Sequence, residues 1–168
     1  MAVVYLALGS NVGNREVHIA EAVHILKSKI NSIQLSELYE TRPLGYSKQR
    51  NFINAAVKGR TDLTPEELLQ FVKNAERQCG RKFRRRWGPR EIDIDILFYG
   101  KLSLHIKRLD IPHPRIIERD FVLLPLIDLN RGLHHPSSNT SIVNIYKNLP
   151  VNKHTIIKKH AKRLKPSR

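Results

Sequence analysis

The alternation of apolar and polar positions divides the chain into a short series of elements. Residues 3–8, Val-Val-Tyr-Leu-Ala-Leu, form an apolar run that ends at Gly9 and reads as a buried strand. Gly9-Ser10-Asn11-Val12-Gly13-Asn14 is a turn cluster, and Asn14 can cap the helix predicted over 15–29, where Val17, Ala20, Val23 and Leu26 recur at helical spacing. A strand is predicted near 33–40, broken by Thr41-Arg42-Pro43-Leu44-Gly45. A polar loop then runs to Asn51, and a third strand covers 52–60. Thr64-Pro65-Glu66-Glu67 has the form of a capping box with proline in the first turn, so a helix runs from there to about Cys79, closed by Gly80. Residues 91–99, Glu-Ile-Asp-Ile-Asp-Ile-Leu-Phe-Tyr, alternate most cleanly of all. Beyond them the pattern predicts a small hairpin over 101–109, a proline-rich loop over 111–115 and a short helix over 118–127.

The resulting order, β-α-β-β-α-β, predicts an α+β fold of ferredoxin-like type. Helices would cover one face of a mainly antiparallel sheet, with a small hairpin and helix extension at the C-terminal end. The chain has 168 residues, a length that suits one domain with one core. Neither an internal repeat nor a linker interrupts it. No window is apolar enough to span a membrane. A single cysteine, Cys79, excludes an intramolecular disulfide framework and a thiolate metal cage and suits a cytoplasmic protein.

Charge alters the picture. There are 30 lysines and arginines against 15 acids. Residues 151–168 hold seven of the basic residues and no acid, so a domain over 1–150 is expected to be followed by a basic tail that is not a separate domain. That tail is expected to be partly disordered, with nonspecific contact to anions, nucleic acid included, as its effect. The second basic feature is internal: Arg81-Lys82-Phe83-Arg84-Arg85-Arg86, followed by the only tryptophan, Trp87, then Gly88-Pro89-Arg90. Arginine matches phosphate by bidentate hydrogen bonding.

The candidate chemistry lies just after that run. On a strand, residues i and i+2 point the same way, so Asp93 and Asp95 project together while Ile92, Ile94 and Ile96 face the other side. Paired carboxylates repel unless a cation neutralises them. Mg²⁺ takes carboxylate oxygens together with substrate phosphates and water, and two such ions can clamp an in-line displacement at phosphorus. His113, between two prolines, is presented by a rigid loop, with Arg108, Arg115 and Arg119 around it. Phe52, Asn54 and Phe121 could sandwich a flat heterocycle and pair with its edge, although core packing is the ordinary fate of a phenylalanine. No Gly-x-Ser-x-Gly nucleophile motif is present. The loop after the first strand lacks the Gly-Lys-Ser/Thr ending of a phosphate-binding P-loop.

Six blocks in order resemble one family, the 6-hydroxymethyl-7,8-dihydropterin pyrophosphokinases of folate biosynthesis. The blocks are Ala7–Asn11, Glu40–Gly45, Phe52–Ala56, Arg86–Ile96, Pro112–Arg115 and Arg119–Leu126. The resemblance implies transfer of pyrophosphate from ATP to the pterin hydroxymethyl oxygen, with release of AMP. It implies that Asp93 and Asp95 hold two Mg²⁺ ions and that Arg81 and Arg90 serve catalysis. Arg81, Arg84, Arg90 and His113 would meet ATP phosphates, and Glu76, Trp87, Ile96, Arg108 and Arg119 would line the nucleotide site. Thr41, Leu44, Phe52, Asn54, Asp93 and Phe121 would form the pterin pocket. Lys73 stands where the family often has glutamine. Two other classes share part of the pattern. An RNA-binding module shares the fold order and the basic charge, and a two-metal nuclease shares the acid pair. A module of the first kind would carry stacking aromatics where this strand carries Asp93 and Asp95.

Overall fold

The computed structural model describes residues 1–82 and 88–160. Its first strand, β1 (Ala2–Ser10), leads through a turn to helix α1 (Arg15–Leu26). Asn14 caps that helix by accepting a hydrogen bond from Val17 N. The helix stops three residues short of the expected end because Ser28 takes the Ile25 carbonyl with both its N–H and its hydroxyl. The single strand expected near 33–40 is two strands, β2 (Asn31–Leu35) and β3 (Tyr39–Thr41), which pair with opposite ends of the same partner, β4 (Phe52–Thr61). Ser36 bridges the gap: its N–H donates to Ala56 O, and its hydroxyl accepts from Ala56 N. A side chain thus replaces one rung of the ladder, and the edge bends there without losing a hydrogen bond.

Helix α2 (Pro65–Gln78) carries the expected capping box, with Thr64 Oγ1 accepting from Glu67 N and Glu67 accepting from Thr64 N. Strand β5 (Asp93–Tyr99) then adds to the far side of β1. The hairpin is β6 (Leu104–Ile106) and β7 (Leu109–Ile111), displaced towards the C-terminus from the 101–109 expected, with Lys107 and Arg108 at its tip. A 3₁₀ turn over 116–118 precedes α3 (Asp120–Leu129), and α4 (Ile142–Lys147) follows. Last comes β8 (Ile156–Lys159), paired with β3.

The main sheet runs β5-β1-β4-β3-β8, with β2 beside the other half of β4, and its pairs are antiparallel. This is the ferredoxin-like arrangement, with one correction. Helices lie on both faces, not one. Ile19, Val23 and Leu26 of α1 and Leu68 and Val72 of α2 pack with Leu6, Ile53, Ile94 and Ile96 on the first face. Val122, Leu123 and Leu126 of α3 and Ile142 of α4 pack with Tyr5, Ala56, Leu97 and Phe98 on the second. A bulge makes the second cluster possible. Leu6 pairs with Ile96 and Tyr5 with Phe98, so Leu97 is the extra residue. It reverses the alternation, sending Phe98 to the face opposite Ile96.

The boundary expected at residue 150 does not end the sheet. Lys158 and Lys159 of β8 meet Glu40 and Glu37 beside β3, and His160 meets Glu16 on α1. Basic charge read from sequence as a loose tail is therefore matched, through residue 160, by acids on the strand and helix it lies against.

Candidate active site

Strand β5 presents Asp93 and Asp95 on the second face of the sheet, beyond the end of α3's cover. A cavity opens there, lined from β1 by Ala7 and Gly9, from β3 by Thr41, from β4 by Phe52 and Asn54, and from β5 by Asp93, Asp95 and Leu97. Leu44, Gly88, Arg90, Arg119, Phe121 and Val122 add to its wall. Every residue expected in the pterin pocket is thus brought to one place. Asn54 donates to Thr41 Oγ1 at 2.7 Å, which fixes its amide. Gly9 is required beside it, because a Cβ there would stand 2.7 Å from Asn54 Oδ1.

The two carboxylates differ. Asp93 is about one-fifth exposed and ion-paired with Arg81 at 2.8 Å and with Arg90. Burial pushes its carboxyl up, but Arg90, Arg81 and Lys73 outweigh burial and hold it below the usual carboxylate range. For Asp95 burial also pushes up, and the Asp93 charge adds to it, so this carboxyl lies above the usual range despite His113, Lys73 and Arg119. Among the described residues no hydrogen bond or ion pair engages the Asp95 carboxylate.

Behind the pair lies Glu76, only 3% exposed. It accepts from Ile94 N at 2.8 Å and from Lys73 Nζ at 2.9 Å, and pairs with Arg81. Glu76 therefore ties α2 to β5 and aims Arg81 at Asp93. Burial raises its carboxyl, and Lys73 opposes this. His113 donates its backbone N–H to Leu97 O, while its Nδ1 accepts from Arg115 N, which leaves Nε2 without a hydrogen bond among the described residues. Burial pushes this imidazole below its ordinary value, against the pull of Asp95. Of the described residues expected at the nucleotide, Arg90 and Arg119 line the cavity; Glu76, Arg81 and His113 do not line it, Ile96 is buried in the first core cluster, and Arg108 is exposed at the hairpin tip. Arg84 and Trp87 fall outside the described residues.

Sequence reasoning missed Arg42 and Gln49 in the wall and gave Asn11 no role. Asn11, 1% exposed, donates to Gln49 Oε1 and Arg50 O and accepts from Arg90 N at 2.8 Å. It joins the loop after β3 to the segment carrying Arg90. The signals for it were its place in the turn cluster after β1 and in the block Ala7–Asn11, neither of which gives it a partner.

Residues 5–131 match the family model described as 7,8-dihydro-6-hydroxymethylpterin-pyrophosphokinase, HPPK. The chain belongs to the HPPK family. It is 44% identical over 136 residues to the 2-amino-4-hydroxy-6-hydroxymethyldihydropteridine pyrophosphokinase of Aquifex aeolicus, covering 81% of this chain and 85% of that protein. To the Bacillus subtilis protein of the same name it is 42% identical over 129 residues, covering 76% and 77%. It is 50% identical over 127 residues to a mitochondrial folate synthesis bifunctional protein of Arabidopsis thaliana, of which it spans only 23% while 75% of this chain is covered. Among solved structures, wild-type Plasmodium falciparum HPPK-DHPS superimposes with a TM-score of 0.70 at 18% identity, over 87% of this chain and 44% of that one, a likeness of fold. Among the described residues no helix of this HPPK-family chain is long and apolar enough to cross a membrane.

Proposed function

We propose that this chain transfers pyrophosphate from MgATP to the hydroxymethyl group of 6-hydroxymethyl-7,8-dihydropterin, releasing AMP. The hydroxymethyl oxygen attacks the β-phosphorus. An O–P bond forms there, the bond from that phosphorus to the α,β-bridging oxygen breaks, and the hydroxyl proton passes to solvent. The observation that carries the reading is the opening of both Asp93 and Asp95 into the cavity that Phe52, Asn54 and Phe121 line.

The pterin ring lies between Phe52 and Phe121, and the amide of Asn54 with the hydroxyl of Thr41 reads its polar edge, with Leu44 closing the mouth. ATP phosphates are met by Arg81, Arg90, His113 and Arg119, joined by Arg84. Trp87 belongs to the nucleotide side, and Glu76 serves it by aiming Arg81; Ile96 and Arg108, which stand away from the cavity, take no part in this reading. No side chain acts as a nucleophile, because transfer of this type rests on positioning and charge neutralisation.

No cluster of three or more His, Cys, Asp or Glu that could hold a metal occurs among the described residues. The donor set nevertheless fits Mg²⁺, which takes one or two carboxylates and draws its other ligands from phosphates and water. Asp95 supports this fit, since its charge has no partner cation bonded to it among the described residues. Asp93 and Asp95 would hold two such ions, which would supply neutralisation of phosphate charge and a lowered pKa for the pterin hydroxyl. Without them Arg81 and Arg90 neutralise Asp93.

Nonspecific nucleic-acid contact is a separate proposal, resting on Lys162, Arg163, Lys165 and Arg168. The test of the main reading is direct: the purified chain with ATP, Mg²⁺ and the pterin should release AMP and the pterin diphosphate in equal amounts. AMP release that does not need the pterin, or none with all three present, overturns it.

A further inference from the structure

A second buried acid stands outside the carboxylate pair. Asp120, the first residue of α3, has no exposed surface. Both of its oxygens are occupied, and three of its four donors come from the C-terminal segment. Oδ1 accepts from Thr155 Oγ1 at 2.6 Å and from Phe121 N at 2.8 Å. Oδ2 accepts from Thr155 N at 2.5 Å and from Ile156 N at 2.8 Å. Hydrogen bonds to a buried carboxylate are among the stronger ones a protein makes, and leaving one unmade is costly.

Thr155 and Ile156, with His154 before them, also reach the opposite wall. Arg42 N donates to Thr155 O at 2.9 Å, the Arg42 guanidinium donates to His154 O at 2.9 Å, and Ile156 lies opposite Thr41 in the β3–β8 ladder. Segment 154–156 therefore bridges the start of α3, which carries Phe121, and the end of β3, which carries Thr41. Phe121 and Thr41 both line the cavity, and Thr41 in turn holds the Asn54 amide. The segment lies beyond residue 131, where the match to the family model ends.

We infer that segment 154–156 is a positioning element for the heterocycle pocket, with Thr155, through its two donors on Asp120, setting the spacing between Phe121 and Thr41. The inference rests on the pterin reading of the cavity. Thr155 does not line the cavity and acts only through Asp120 and Arg42. A stacking ring and a hydrogen-bonding edge recognise a flat ligand only when held at fixed separation, and supports of this kind commonly come from residues behind those that touch the ligand.

The test uses the full chain with Thr155→Val, Thr155→Ser and Thr155→Cys. Steady-state rates are measured against each substrate, and binding of a non-hydrolysable ATP analogue is measured by calorimetry without pterin. In T155V the KM for pterin should rise about tenfold, the size expected for one hydrogen bond to a charged group. Its kcat and ATP-analogue affinity should fall by much less than the pterin KM rises, since Arg119 at the start of α3 is one of several cationic groups offered to the phosphates and nothing in the bridge touches α2 or Glu76. T155S should restore the parent KM within about twofold. Should T155V fail to fold, T155C, a near isostere with a weak donor, should show an intermediate rise in KM. The inference is overturned by an unchanged pterin KM in T155V, by an ATP-analogue affinity that falls in parallel, or by failure of T155S to restore. Absence of AMP release from the parent chain would instead refute the proposed reaction itself.

Discussion

Replacing Asp95 by asparagine should make the ligand-free protein more stable while abolishing its chemistry. Asp95 and Asp93 are two residues apart on one strand face, so about 7 Å of separation follows from the strand rise. At an effective dielectric near 20, two unit charges at that distance repel by about 2 kcal/mol. Arg81 and Arg90 neutralise much of the Asp93 charge, which leaves about 1 kcal/mol acting on Asp95. Its partial burial adds to this.

The sign follows from the shift. The carboxyl of Asp95 is raised in the folded state, by burial first and Asp93 second. The folded protein therefore binds this proton more tightly than the unfolded chain does, and the ionised group opposes folding at neutral pH. The stabilisation associated with the raised carboxyl is present below the unfolded-state value and is lost as pH rises through the folded-state one. Asp95→Asn removes the group that loses it. At pH 7 the variant should melt about 2–4 °C above the parent, from about 1 kcal/mol in a domain of this size. The difference should shrink as pH falls towards the ordinary 3.8 of an aspartate.

Differential scanning calorimetry without ligands reads the first effect, and AMP formation reads the second, which should fall by at least about a hundredfold. Mg²⁺ with an ATP analogue at about 100 times its Kd should lift the parent by about 2.7 kcal/mol and lift the variant far less. A variant that melts below the parent without ligand, or that retains more than a tenth of the parent's turnover, refutes the reasoning.

Three further substitutions probe the same framework. Asp93→Asn should have the opposite sign: its carboxyl is held low by Arg90 and Arg81, so it contributes stability above the unfolded value, and the variant should lose about 1–2 kcal/mol at pH 7 by urea unfolding. A stability equal to the parent's would contradict the ion pairs. Glu76→Gln keeps an acceptor for Ile94 N but removes the charge that holds Arg81; because burial raises the Glu76 carboxyl, its ionised form adds no net stability at pH 7, so the urea midpoint should not fall while ATP-analogue binding weakens. Unchanged ATP-analogue binding counts against it. Gly9→Ala forces a Cβ onto Asn54 Oδ1 and should weaken pterin binding by about 1–3 kcal/mol in a calorimetric titration, with ATP-analogue binding preserved; equal losses for both ligands would point to general damage.

Much of this was legible in the sequence because it depends on local rules. The capping box at Thr64, the cap at Asn14 and the alternation around Asp93 and Asp95 are each written within a few residues, and the structure has them all. What escaped depends on partners far along the chain. Nothing near Leu97 announces that it is an extra residue, because the bulge is defined by register against Tyr5 and Leu6. Ser36 reads as an ordinary polar strand residue until Ala56 lies beside it. The second helical layer was missed for the same reason, since the apolar content of 120–129 fits a short terminal helix as well as a cover for Phe98. In the site, Asn11 was visible as a turn residue, and its ties to Gln49 and Arg90 are long-range.

The basic C-terminal segment is the more instructive case. Counting charge alone, Lys158 and Lys159 predict repulsion and disorder. That count ignores Glu37, Glu40 and Glu16, which lie more than a hundred residues earlier and face them across β3 and α1. These pairs are exposed or half-buried, and exposed pairs contribute at most about 1 kcal/mol each, so they alone do not anchor the strand. The anchor is the buried carboxylate of Asp120, whose acceptors are filled largely by Thr155 and Ile156. The two acids therefore stand in opposite states. Asp120 has all its donors and holds structure in place, whereas Asp95 has none among the described residues and opposes folding. A destabilising charge kept on the wall of a cavity makes physical sense only if a ligand supplies the missing cation, which is why the stability of Asp95→Asn bears on function as directly as a rate does.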